Sequence, residues 1–151
     1  MTITVPATDK NLDAACASVA NEIARTDGKA SLLLAFNGAV LAGLASVADK
    51  DLPAATKAVG VLAALALGAA AVLLLLVVRP SLRGDDRASF PHWARLDEGG
   101  IRSCMEGDTR ATRIRVLSTL ALRKYLHLRR AVDLSLAALV LLALAAAGFA
   151  L

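Results

Sequence analysis

Aromatic residues are scarce in this sequence: three Phe, one Trp and one Tyr make up 3% of its 151 residues. Cysteine and histidine are also scarce, with two of each, and none of them has metal-ligand spacing. The sequence has no glycine-rich phosphate loop, no nucleophile elbow and no pattern that pairs a His with a Cys. Nothing therefore points to catalysis, and we expect a protein that is not an enzyme and has no metal or cofactor.

Charged residues are absent from three apolar runs, at residues 30–48, 58–78 and 134–151. A helix rises about 1.5 Å per residue, so each run is long enough to cross the roughly 30 Å hydrocarbon core of a bilayer. The alternation typical of a membrane β-barrel is missing from these runs. The sequence therefore predicts an all-α membrane protein with three transmembrane helices and cytoplasmic helical extensions.

Helix-breaking residues divide the chain. Asp51-Leu52-Pro53 predicts a tight turn, Arg79-Pro80 a helix stop, Gly99-Gly100 a further break, and Asp108 or Thr109 the start of a long helix. The predicted segments are a disordered tail (1–8), a cytoplasmic helix (9–29), the first span (30–48), the second span (58–78), a cytoplasmic loop and helix (79–130) and the third span (131–151). Residues 9–151 are predicted to form a single membrane domain.

The 17 Lys and Arg residues are unevenly distributed: three lie in 1–29, two in 49–57 and twelve in 79–130. Because positive residues stay on the cytoplasmic side, we predict a cytoplasmic N-terminus and an external C-terminus in the cell membrane. Cys16 and Cys104 then lie in the cytoplasm as reduced thiols. The same rule explains the net charge of +4 without direct nucleic-acid binding. A two-span protein is disfavoured, since 134–151 is uncharged over a full span.

Two polar residues mark one side of the first span. Asp27, Ala30, Leu34 and Asn37 are spaced i, i+3, i+7 and i+10, which puts Asp27 at the membrane boundary and Asn37 inside the membrane on one face. An intramembrane polar residue usually faces the bundle and needs a partner. Asn37 either joins helices by hydrogen bonding, which is the simpler interpretation, or lines a gated path.

A basic run precedes the third span. Arg123, His127 and Arg130 fall at i, i+4 and i+7 on one helix face, where the fork of arginine donors fits phosphate oxygens. A juxtamembrane basic run also commonly anchors a helix at anionic lipid, and from this run alone we prefer that interpretation.

Small residues recur every four positions in each span: Ala35, Ala39 and Gly43; Gly60, Ala64 and Gly68; Ala143 and Ala147. Such stripes allow close helix approach, either between copies or within one monomer. Packing within one monomer is the simpler explanation of the stripes, whereas for the whole protein a homo-oligomer is our expectation.

Several of these stretches resemble the transmembrane effector domain of Pycsar anti-phage systems, which includes actinobacterial proteins labelled integral membrane plasmid transfer protein. Residues 25–34 (RTDGKASLLL) are similar to the RxDxKAxxLL pattern that opens the first span of that family. The Arg79-Pro80 exit, the loop at 90–96, residues 118–125 (STLALRKY) and residues 130–132 (RAV) are similar as well. The resemblance covers residues 12–151, and the order and spacing of its motifs are more specific than any one of them.

The resemblance implies a membrane effector that senses cyclic UMP or cyclic CMP, made by a partner pyrimidine nucleotide cyclase, and impairs the inner membrane. Asp27, Lys29 and Lys124 match recurring motif positions, and helix geometry adds Arg123, His127 and Arg130 as candidate ligand-binding residues. An ion pair of Asp27 with Lys124 or with Arg123 is predicted in the resting state. Alternatives are a plasmid-transfer protein or a holin-like pore former, although the 52 residues between spans two and three argue against a holin.

Overall fold

The computed structural model describes residues 7–80 and 89–150, and every element in this part of the chain is a helix. The helices are α1 (Ala7–Ser46), α2 (Ala54–Val78), α3 (Phe90–Trp93), α4 (Glu98–Met105) and α5 (Arg110–Ala150). Within the described residues, α1, α2 and α5 are long and apolar enough to cross a membrane. The predicted all-α fold is therefore confirmed, and the protein is a multi-pass membrane protein.

Proline positions set both ends of α2. Pro53 precedes the helix with φ of −53°, the value that its ring imposes, and it has no N–H to leave unbonded in the first turn. At the other end the Arg79 N–H donates to the Leu75 carbonyl at 2.9 Å, and Pro80 cannot continue the ladder. The predicted turn and the predicted helix stop are both confirmed.

The first helix is continuous from the predicted cytoplasmic segment into the first span. It includes Ala7, two residues before the predicted start, so the predicted tail of 1–8 is too long at its end. The remainder of that tail, residues 1–6, lies outside the described residues. No proline falls within 7–46, so the backbone hydrogen bonds of α1 run without interruption.

The expected break at Gly99-Gly100 is wrong, because both glycines lie inside α4. Asp97 caps this helix, and its carboxylate accepts a hydrogen bond from the Gly100 N–H at 2.8 Å. A cap of this kind contributes about 1 kcal/mol, enough to offset the cost of one glycine in a helix.

The start of α5 agrees with the prediction. The Asp108 carboxylate accepts a hydrogen bond from the Arg110 N–H at 3.0 Å, and the Thr109 carbonyl accepts one from the Arg113 N–H at 2.9 Å.

The chain divides into two compact units. One comprises Met1–Arg25 and Pro80–Arg123, and the other comprises Thr26–Arg79 and Lys124–Leu151. In the first unit one face of α1 is half-buried, formed by Leu12, Cys16, Val19 and Ile23 at helical spacing. Both cysteines are free thiols.

In the second unit the buried positions of α2 and α5 follow a heptad pattern, with alternating steps of four and three residues. On α2 they are Ala63, Leu67, Ala70, Leu74 and Val77; on α5 they are Lys124, Leu128, Ala131, Ser135 and Ala138. This spacing keeps one seam of a helix facing its neighbours, as in left-handed bundles. Alanines on the seam let the backbones approach closely, which favours packing in lipid.

The predicted small-residue stripes do not form that seam. Ala35, Ala39 and Gly43 of α1 are exposed, and so are Ala143 and Ala147 of α5. The preferred explanation, packing within one monomer, is therefore wrong for these two stripes. A step of four residues turns a helix by about 40° beyond a full circle, so a stripe at that step rotates away from the seam.

Candidate functional site

An ion pair joins α1 and α5 in the second unit. The Lys124 ammonium donates to both carboxylate oxygens of Asp27, at 2.6 and 2.7 Å. The Lys124 side chain is only 11% exposed and that of Asp27 33% exposed, so the pair is largely withdrawn from solvent. The predicted pairing of Asp27 is confirmed, with Lys124 rather than Arg123 as its partner. Separating a partly desolvated ion pair is unfavourable, because each charge is then left without compensation by its partner.

A second polar contact lies ten residues further along α1. Asn37 is fully buried and its amide nitrogen donates to the Ser135 hydroxyl at 3.0 Å. The Ser135 hydroxyl also lies 3.2 Å from the Asn37 carbonyl oxygen and 2.9 Å from the Ala131 carbonyl. Asn37 therefore faces the bundle and has a partner, as its position in the span predicts.

Apolar clusters flank the Asn37–Ser135 contact on both sides. One cluster comprises Ala30, Ala70, Leu74, Val77, Leu128 and Ala131, and the other comprises Ala63, Leu67 and Ala138. Each interhelical hydrogen bond in a membrane contributes roughly 0.6 kcal/mol on average, so this contact selects an alignment more than it adds stability.

The two polar contacts together define the register of α1 and α5. The partners are 97 residues apart at Asp27–Lys124 and 98 apart at Asn37–Ser135. Because both separations are nearly equal, the two helices run parallel and advance together over about 15 Å. A slip of one helical turn would break both contacts at once.

The other predicted ligand residues lie outside the ion pair. Lys29, Arg123 and Arg130 are exposed, and His127 is half-buried. Lys29 follows Asp27 by two residues, which places it about 200° round the helix from the carboxylate and away from Lys124. Arg123, His127 and Arg130 share one face of α5 by their spacing, as predicted. Their role in ligand binding stays a prediction.

Sequence reasoning missed a charge cluster in the first unit. The Arg110 guanidinium bonds to the carboxylates of Asp108 at 2.9 Å, Asp13 at 3.2 Å and Asp9. It also donates to the Asp9 carbonyl at 3.2 Å. The signal was the i, i+4 spacing of Asp9 and Asp13, which puts two carboxylates on one helix face.

This cluster shifts the pKa values of Asp108 and Arg110. The side-chain hydrogen bond from Arg110 holds the pKa of Asp108 below its ordinary value of 3.8. The pKa of Arg110 is raised, first by its bond to Asp108 and then by those to Asp13 and Asp9. Both shifts favour the charged forms of Asp108 and Arg110, which keeps this ion pair intact at neutral pH.

A His and a Cys also meet in the first unit, although no sequence pattern paired them. The Cys104 Sγ lies 3.8 Å from the His92 Nε2. Twelve residues separate them in the chain, so only the turn between α3 and α4 brings them together. Among the described residues, no group of three His, Cys, Asp or Glu side chains is arranged to hold a metal ion.

The family model of the Pycsar effector protein domain matches residues 11–151, which is nearly the whole chain. The chain belongs to this family. Comparison with curated proteins and with solved structures found no match. Membership places this Pycsar effector domain in cyclic-nucleotide anti-phage defence, with a membrane location and a functional link to a nucleotide cyclase. It also indicates that the chain acts as an effector.

Proposed function

We propose that this protein is a membrane effector that binds cyclic UMP or cyclic CMP and then impairs the inner membrane of the infected cell. The family match over residues 11–151 is the observation that carries the proposal. The three helices of transmembrane length supply a means of acting on the membrane itself. A partner cyclase would supply the nucleotide on infection, so the effector would stay silent until then.

The candidate ligand site is the basic face that precedes the third span. Arg123 and Arg130 are exposed donors, and their guanidinium forks match the oxygens of a cyclic phosphate. His127 lies between them on the same face. Lys124, one residue after Arg123, is within reach of a phosphate only if it leaves Asp27. Lys29 is a further exposed cation near this membrane face, but it lies on the side of α1 away from Lys124 and so outside the basic face of α5.

The Asp27–Lys124 pair is the element that the nucleotide would act on. A ligand shifts a conformational equilibrium only by binding one arrangement better than the other. The cyclic phosphate would compete with the Asp27 carboxylate for the Lys124 ammonium, which favours an arrangement with the pair open. Since Asp27 and Lys124 hold α1 against α5 in the resting state, opening the pair would release these two spanning helices from their register.

The proposal includes an orientation and an oligomer. Fifteen of the 17 basic residues lie in the two segments that we place in the cytoplasm, where the nucleotide is made. The exposed small residues of α1 and α5 would let released helices approach helices of further copies. Several copies together would then form the lesion in the membrane.

Vesicle leakage with defined nucleotides tests the proposal. The purified full chain is reconstituted into dye-loaded vesicles of phosphatidylethanolamine and phosphatidylglycerol, with nucleotide on both faces. We expect leakage with cyclic UMP or cyclic CMP and none with cyclic AMP or linear UMP. Calorimetric binding to the same protein should show the same selectivity. Leakage that is independent of nucleotide, together with no binding of either cyclic pyrimidine nucleotide, would overturn the proposal.

A further inference from the structure

The end of the second unit near the α1–α2 turn contains an apolar cleft of about 820 Å³. Helix α1 contributes Leu41 and Leu44, α2 contributes Gly60 and Ala64, and α5 contributes Leu142. An added Cβ at Gly60 would meet no heavy atom within 4 Å, so the helices leave open space there. The volume falls within the range of about 300–1,000 Å³ that ligand pockets occupy.

Two cations accompany this apolar lining. Lys50 in the turn and Lys57 in the first turns of α2 both line the cleft, and both are exposed to solvent. The carboxylates of the same turn, Asp49 and Asp51, are not among the lining residues. An apolar cavity with two ammonium groups therefore suits an amphiphile with an anionic head.

The position of the cleft decides which amphiphile it holds. Helix α1 ends at Ser46 and α2 begins at Ala54, so Lys50 and Lys57 lie where a spanning bundle meets the headgroup layer. Long cationic side chains at helix ends extend towards that layer. Ala64 and Leu142 belong to the uncharged apolar runs, and the medium around such runs in a bilayer is phospholipid acyl chain.

We propose that this cleft binds one anionic phospholipid, with an acyl chain against Gly60 and Ala64 and the headgroup phosphate on Lys50 and Lys57. The site lies at the opposite end of the spans from the Asp27–Lys124 pair, because α1 continues for 19 residues beyond Asp27 before it ends at Ser46, beside the cleft. It does not depend on nucleotide binding.

Native mass spectrometry of lipids retained by the full chain tests the site. The protein is taken from vesicles with equal phosphatidylglycerol and phosphatidylcholine, and retained lipid is counted. We expect the parent to retain phosphatidylglycerol severalfold over phosphatidylcholine, and Lys50→Gln with Lys57→Gln to bring this ratio close to one. Gly60→Leu should lower retention of both lipids. Lys10→Gln with Arg113→Gln, two exposed positions outside the apolar runs, is the control with equal charge loss.

Two outcomes would overturn the proposal. One is a phosphatidylglycerol preference that survives the double lysine substitution unchanged. The other is a Gly60→Leu variant that retains lipid as the parent does but loses an oligomer, which would assign the cleft to a second copy. Helical content by circular dichroism identifies any variant that fails to fold. If Gly60→Leu fails to fold, the lipid preference of the Lys50→Gln, Lys57→Gln variant still tests the proposal.

Discussion

The Lys124 ammonium of α5 lies within 2.7 Å of both carboxylate oxygens of Asp27 on α1, at the edge of the membrane-spanning unit. This pair and the buried Asn37–Ser135 contact share one register between two parallel helices. Because two polar contacts about 15 Å apart set the register of this bundle, a second discrete alignment becomes available once one contact opens. Two discrete alignments of the same helices are typical of proteins that switch in response to a ligand.

Asp27→Asn should leave the protein folded and lower the nucleotide concentration needed for half-maximal leakage. Loss of the carboxylate costs roughly 1–3 kcal/mol, between the values for exposed and buried pairs. If about 1.4 kcal/mol of competition for Lys124 is removed, the midpoint falls by about tenfold. Asp133→Asn, the same substitution at an exposed site on α5, should leave the midpoint unchanged. An unchanged midpoint for Asp27→Asn would remove the pair from the switch.

Arg123→Ala with Arg130→Ala should weaken binding of cyclic UMP and cyclic CMP by at least tenfold, because two charge-assisted contacts to phosphate are lost. Arg129→Ala is the matched control, since it is exposed and lies about 100° round the helix from Arg130. Titration calorimetry on detergent-purified protein measures both. Membrane insertion is checked by carbonate extraction. Parent-like binding in a double variant that inserts normally would leave this face as a lipid anchor only.

Ser135→Ala should destabilise the spanning unit by roughly 0.6 kcal/mol and by no more than about 1.7 kcal/mol, the range measured for interhelical hydrogen bonds in membranes. A double-mutant cycle with Asn37→Ala isolates the coupling, read from unfolding in denaturing detergent. Ser31→Ala is the control, because that hydroxyl bonds locally to the Asp27 carbonyl on an exposed face. A coupling energy of zero would show that the Asn37–Ser135 hydrogen bond does not join α1 and α5 in the detergent-solubilised protein.

Acid should remove the contribution of Asp108 to the first unit. The bond from Arg110 lowers the pKa of Asp108, so this contribution is present above the ordinary value of 3.8 and is lost as pH falls through the lower folded value. The melting-temperature difference between parent and Asp108→Asn should therefore be constant near neutral pH and shrink below pH 3.8. A difference that persists at pH 2, roughly two units below that value, would contradict this assignment.

The predicted orientation rests on the distribution of basic residues and is open to a direct test. Alkaline phosphatase fused after Leu151 should be active, because we place this terminus outside the cytoplasm. A fusion after Glu106, in the segment between the second and third spans, should be inactive. Activity of the enzyme at Glu106 and not at Leu151 would reverse the orientation and put the basic segments outside.

The sequence by itself determined the membrane architecture. Uncharged runs of sufficient length specify spanning helices because the hydrocarbon core leaves no other partner for backbone polar groups. Pro53 and Pro80 determine the ends of α2 through local covalent geometry. Asp27 and Asn37 were also recognisable as one face of the first span, since helical periodicity alone relates them.

Only the tertiary structure decided which residues meet across that face. Lys124 and Arg123 were equal partners for Asp27 by charge, and the heptad seam of α5 turns Lys124 inward while Arg123 stays exposed. The same seam buries Ala63, Ala70, Ala131 and Ala138, and not the stripes of small residues that recur at every fourth position. In an alanine-rich chain many faces are equally small, so mutual packing of three helices, and not composition, selects the face that is buried.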